Sequence, residues 1–172
     1  MPNWCSNNAT ITFKSAKKAD EFVKACHSDT PKPVPGTLLD MTEPSNLFEH
    51  YLPMPKNIGD KWYGWCISNW GTKWPPNIGY VMRIGDLMVS IAFQTAWGPP
   101  LEWFQTCGPL YDWEWQLEYI ELGMGFAGMA EGTKDGSNND HFGQDDEAFK
   151  EIADHFGIDL ADYDEDDPQP AP

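Results

Sequence analysis

Residues 62–74 read Trp-Tyr-Gly-Trp-Cys-Ile-Ser-Asn-Trp-Gly-Thr-Lys-Trp and hold four of the chain's nine tryptophans. Indoles bury large areas and each needs a partner for its N–H, so a segment this rich in them must pack against a core or against another molecule. Trp62, Trp65 or Cys66, and Trp70 recur at helical spacing, while Asn69, Gly71 and Thr72 end the helix. The spacing predicts a core helix packed on a sheet and running into an aromatic-walled turn. The alternative is an exposed aromatic surface made of Trp62, Trp65, Trp70, Lys73, Trp74 and Trp97.

The flanking pattern says what that helix packs on. Residues 8–14 alternate Ala9, Ile11 and Phe13 against Thr10 and Thr12, the period of a half-buried strand. Ala19, Phe22, Val23 and Cys26 share one helical stripe and predict a helix over 16–27 that Ser15 caps. Six prolines (31, 33, 35, 44, 53 and 55) interrupt residues 28–59 and leave room only for a short helix at 45–51, so about 28–60 reads as an insertion. Pro75 and Pro76 stop the Trp-rich helix. Residues 80–84 and 87–95 then form two strands joined at Gly85-Asp86, the second with Leu87, Val89, Ile91 and Phe93 on one face. Pro99 and Pro100 start a short helix that Gly108 and Pro109 close, and Trp113, Trp115, Leu117 and Tyr119 alternate along another strand. Residues 126–131 form a further strand or return hairpin.

In order this is the βαββαβ pattern of an α+β, ferredoxin-like fold, an antiparallel sheet with helices on one face, spanning residues 1–131. Residues 132–161 are expected to be an acidic linker and helix, with a polar loop at 132–141. The helix covers 145–156 and lines up Ala148, Phe149, Ile152, Ala153 and Phe156. Residues 162–172, acidic and proline-rich, are expected to be disordered.

The formal net charge is -16, and its distribution matters more than its size. Residues 1–130 carry nine Lys or Arg against thirteen Asp or Glu, whereas residues 131–172 carry two against fourteen. Such a field repels phosphate backbones and anionic membranes and suits a basic partner, which makes nucleic acid an unfavourable ligand. The four cysteines are dispersed, as expected of free, buried thiols in a reducing cytoplasm. Neither a secretory leader nor a run of about 18 apolar residues is present, so a soluble cytoplasmic protein is expected.

No motif for bond-making chemistry stands out. Cys26 and His27 are adjacent and diverge on a helix, and the remaining histidines lie in unrelated segments. Zinc, calcium and iron–sulfur ligand spacings are all lacking, as is a phosphate-binding glycine loop, so no metal, no cofactor and no catalytic residue is assigned.

Four phrases resemble a known family. Residues 1–7 (Met-Pro-Asn-Trp-Cys-Ser-Asn), 69–74 (Asn-Trp-Gly-Thr-Lys-Trp), 95–100 (Thr-Ala-Trp-Gly-Pro-Pro) and 119–128 (Tyr-Ile-Glu-Leu-Gly-Met-Gly-Phe-Ala-Gly) are similar to the YubB-type proteins of phages and conjugative plasmids. Gly98 departs from that pattern, where serine is expected. The resemblance implies a ferredoxin-like domain without an iron–sulfur cluster, in an accessory protein of a mobile element acting in a bacterial cytoplasm. It brings no catalytic residues.

These readings lead to a non-catalytic interaction protein, a counter-defence or host-takeover factor. Its acidic residues Asp145, Asp146, Glu147, Glu151, Asp154 and Asp159 would mimic nucleic acid toward a basic host protein. A module that binds single-stranded nucleic acid through the Trp-rich region, and an enzyme of unrecognised type, are the alternatives.

Overall fold

A computed structural model of the chain describes residues 3–27 and 45–162. Six strands form one open antiparallel sheet in the order β2-β3-β1-β4-β5-β6. They are β1 (Trp4–Thr12), β2 (Asn77–Ile84), β3 (Met88–Ala96), β4 (Glu114–Glu121), β5 (Phe126–Thr133) and β6 (Gly136–Gly143). The helices are α1 (Ala16–His27), α2 (Leu47–Tyr51), α3 (Trp62–Trp70), α4 (Leu101–Tyr111) and α5 (Glu147–His155). Such an α+β sheet is consistent with the ferredoxin-like class.

The central strand β1 starts at Trp4, four residues before the apolar alternation becomes visible, because Cys5 and Asn7 continue its inward face. A buried amide is tolerable only when bonded. Asn7 Nδ2 donates to Thr95 Oγ1 at 2.9 Å and to the Cys5 carbonyl at 2.8 Å.

The core lies between one sheet face and α1, α2 and α4, with part of α3. Its centre is not the Trp-rich stretch, of which only Cys66, Trp70 and Thr72 are fully buried. Trp103 of α4 is the hub: its ring lies 4.8 Å from Phe48, 5.0 Å from Phe104 and 5.6 Å from Trp113, at angles that avoid face-to-face stacking. Phe13 of the strand end and Phe22 of α1 close the cluster against Trp113. Helix α3 keeps its predicted end: Gly71 sits at φ +79, and its N–H returns to the Cys66 and Ile67 carbonyls.

Three expectations need correction. Gly108 and Pro109 do not close α4, which runs on to Tyr111. The hydrogen bond that Pro109 cannot donate would have gone to the carbonyl of Gln105, an exposed residue, where the loss is tolerated. Residues 132–141 are not a loop, since β5 continues to Thr133 and β6 follows after a tight turn. An edge strand solvated on both faces needs no apolar alternation, and β6 is exposed along nearly all of its length. Finally, the helices are not all on one face. The stripe Phe149, Ile152 and Ala153 seats α5 on Ile120 and Ala127, on the side opposite Trp115, Leu117 and Tyr119. The expected disorder at 162–172 falls on positions that, apart from Asp162, lie outside the described residues.

Among the described residues, one buried side-chain polar atom has no hydrogen-bond partner. The Trp115 indole N–H is held against Gly108 of α4 and Gly132 of β5, where an added Cβ would come within 2.6 and 2.5 Å of the ring. Trp70 is equally buried, but its Nε1 donates to the Leu52 carbonyl at 3.0 Å. Trp115→Phe removes an unsatisfied donor, while Trp70→Phe breaks a bond and orphans an acceptor. The first should therefore cost about 1–2 kcal/mol less than the second in urea denaturation.

Candidate functional site

Two surfaces carry the groups that the fold leaves free. The first is the sheet face opposite the core. Alternation along β1, β4, β5 and β6 places Asn8, Thr10, Gln116, Glu118, Glu131 and Asp140 on it, around a shallow trough of about 530 Å³. Glu114 belongs to the same face and shares Lys14 with Asp112. At one end of the trough stands α5, whose His155 Nδ1 lies 3.2 Å from Glu118 Oε1.

All six acidic residues singled out from sequence are exposed on or beside α5. Asp146 Oδ2 accepts the Gly143 N–H at 2.8 Å, and Asp159 Oδ1 accepts the Ala161 N–H at 3.0 Å. Glu147 pairs with Lys150. Asp145, Glu151 and Asp154 project without an ion pair among the described residues. The carboxylates of α5 and those of the trough therefore share one side of the sheet. Glu121 of β4 is on the other side and buried; its two oxygens accept the Gly123 and Met124 N–H groups at 2.8 and 2.6 Å.

The second surface is a cleft of about 620 Å³ at the end of the sheet, between Trp97 and Asn3 on one side and Met124, Phe126 and His141 on the other. The predicted aromatic surface divides here. Trp70 belongs to the core, and Trp65 packs edge-on against it at 5.3 Å. Trp62 and Tyr63 are exposed on α3. Lys73, Trp74 and Trp97 meet: the Lys73 ammonium lies 4.4 Å from the Trp74 ring centre and 5.0 Å from that of Trp97, and Trp4 packs on Trp74 at 6.5 Å. Trp97 is 45% exposed and has φ +70, a backbone state that costs a bulky L-residue about 1–2 kcal/mol. Its N–H is fixed on the Asn3 carbonyl at 2.9 Å. Across the cleft Met124 is 74% exposed, and the His141 ring packs on Phe126 at 5.2 Å with its Nδ1 3.3 Å from the Tyr119 hydroxyl. Sequence reasoning assigned no role to Asn3, Met124, Phe126 or His141. The only available signal was that the 1–7, 95–100 and 119–128 phrases stood out together.

Residues 79–156 match the family model of a ferredoxin-like domain in Api92-like protein. The matched segment runs from within β2 through α5, just under half of the chain, and so takes in β6 and α5 with the strands. No curated protein and no solved structure matches the chain.

The thiols are not poised as nucleophiles. Burial pushes Cys26 and Cys107 up to about 12, and it raises Cys5, with help from the Glu121 charge, and Cys66 as well. Cys26 points into the core while His27 is exposed. Among the described residues, no group of three or more His, Cys, Asp or Glu is placed to hold a metal ion, and no helix is long and apolar enough to cross a membrane.

Proposed function

We propose that this protein is a non-catalytic binding protein that presents its acidic sheet face and α5 to a partner with a basic surface. In the fuller form of this reading, it is a YubB-type accessory factor of a phage or plasmid, built on a βαββαβ core with an acidic helix. It would compete with nucleic acid for a host protein as a counter-defence device in the bacterial cytoplasm. The observation that carries it is placement: Glu118, Glu131 and Asp140 of the trough and Glu147, Glu151 and Asp154 of α5 lie on one side of the sheet, joined through the His155–Glu118 contact. Like charges gathered on a rigid sheet and helix raise the encounter rate with a cationic surface and repel phosphate.

Charge-neutral variants test this better than truncation. Deleting residues from Gly132 onward also removes β6 and uncovers Ile120 and Ala127, so lost binding would not separate charge from unfolding. The full chain should be immobilised beside one variant with Glu118→Gln, Glu131→Gln and Asp140→Asn, and another with Glu147→Gln, Glu151→Gln and Asp154→Asn. From a bacterial lysate, the wild-type protein is expected to retain a basic protein that added duplex DNA displaces, and both variants should lose it. Equal retention by all three would overturn the proposal.

A further inference from the structure

We infer that the cleft between Trp97 and His141 is a binding site for a nucleoside monophosphate, its base stacked on the Trp97 indole and its phosphate directed to Lys73. Two costs coincide at Trp97, a left-handed backbone and a large apolar ring left 45% exposed. A structural residue is not expected to bear both, whereas strained, exposed side chains gather at ligand sites. The opposite wall repeats the signature with Met124, 74% exposed, and the Phe126–His141 ring pair. Planar walls of this kind take a planar ring, and the volume of about 620 Å³ falls among small-molecule sites.

Charge selects among planar ligands. Lys73 lies over the ring of Trp97, which lines one wall of the cleft, and His141 lines the far wall. Two carboxylates beside the lining residues are turned onto backbone amides, Glu121 onto Gly123 and Met124, and Asp146 onto Gly143. A chain with a net charge of -16 thus keeps an ammonium, Lys73, against the aromatic wall of this cleft, which suits an aromatic ring that carries an anion. A single nucleotide enters without facing the repulsion that a long phosphate backbone meets from the acidic side.

The test is calorimetric titration of the full chain with AMP, adenosine, inorganic phosphate and a short single-stranded oligonucleotide. AMP is expected to bind saturably, adenosine several-fold more weakly, and inorganic phosphate not measurably. Trp97→Ala should weaken AMP about tenfold or more, the ordinary worth of one stacking platform. Lys73→Gln should bring AMP down to the level of adenosine. Trp97→Gly relieves the backbone and is expected to keep the fold while losing the ligand, which separates a binding role from a structural one. Neutralising Glu131 and Asp140 on the opposite sheet face should leave AMP affinity within about twofold. No saturable AMP binding at millimolar concentration, AMP binding that Trp97→Ala and Trp97→Gly leave unchanged, or cleft-dependent binding of the oligonucleotide alone would overturn the inference.

Discussion

Gly128→Val is expected to destabilise the protein by about 3 kcal/mol or more, at the upper end for overpacked positions. Gly128 is the third residue of β5, paired with Tyr119 of β4 and His141 of β6. The Tyr119 ring crosses directly above it and bonds through its hydroxyl to Asn139 Oδ1 of β6 at 2.9 Å. A Cβ at 128 would stand 2.5 Å from the Asp140 carbonyl oxygen and closer still to the Tyr119 ring. The first contact is backbone in a paired strand and the second is a fully buried phenol, so neither yields without breaking the ladder or the aromatic bridge. Urea unfolding followed by circular dichroism measures the loss. Gly98→Ala is the control: nothing lies within 4 Å of its Cβ, and the change should stay within about 0.5 kcal/mol.

The second large effect is alkaline. Cys26 and Cys107 are protonated in the fold up to about pH 12, while an exposed thiol has an ordinary value near 9.0. Above that ordinary value the unfolded chain releases protons that the folded chain retains. Stability is therefore complete below pH 9 and is lost as pH rises toward 12. Each of these thiols contributes a slope of about 1.4 kcal/mol per pH unit in that interval. Burial also pushes the Tyr119 phenol up to about 12, which steepens the loss at the top of the range. Equilibrium unfolding between pH 7 and 11 should be flat at first and then fall steeply. A thiol reagent at pH 8 should label none of Cys5, Cys26, Cys66 and Cys107 in the native protein within the time needed to label the denatured chain. Rapid native labelling would contradict the burial assigned to them.

Most of the secondary structure was legible because its apolar residues follow one period per element. Helix α1 occupies the stretch that Ala19, Phe22 and Cys26 mark, and β3 keeps Val89, Ile91 and Phe93 inward as its alternation requires. What escaped has physical reasons. Asn7 faces inward despite being polar, since Thr95, eighty-eight residues away, satisfies it. Strand β6 carries no apolar alternation because neither of its faces enters the main core, and only Asp135-Gly136 hinted at a hairpin. The stripe of α5 showed that the helix had to dock, not that its seat was the far face of the sheet. For the Trp-rich stretch, spacing gave the helix but not the fate of its rings. Trp70 is buried because Phe48 and the Leu52 carbonyl arrive from another segment, while Trp62 stays 38% exposed. The cleft draws on Asn3, Trp97, Met124 and His141, and no local pattern relates residues so far apart.

The acidic face is tested most directly by the salt dependence of its binding to a short, labelled oligolysine peptide, followed by fluorescence anisotropy between about 50 and 500 mM salt. The full chain is expected to bind at low salt and to weaken steeply as salt rises. The variant neutralised at Glu118, Glu131, Asp140, Glu147, Glu151 and Asp154 should bind more weakly, with a shallower slope. Affinities and slopes that coincide for the two proteins would contradict the assignment of recognition to this side of the sheet.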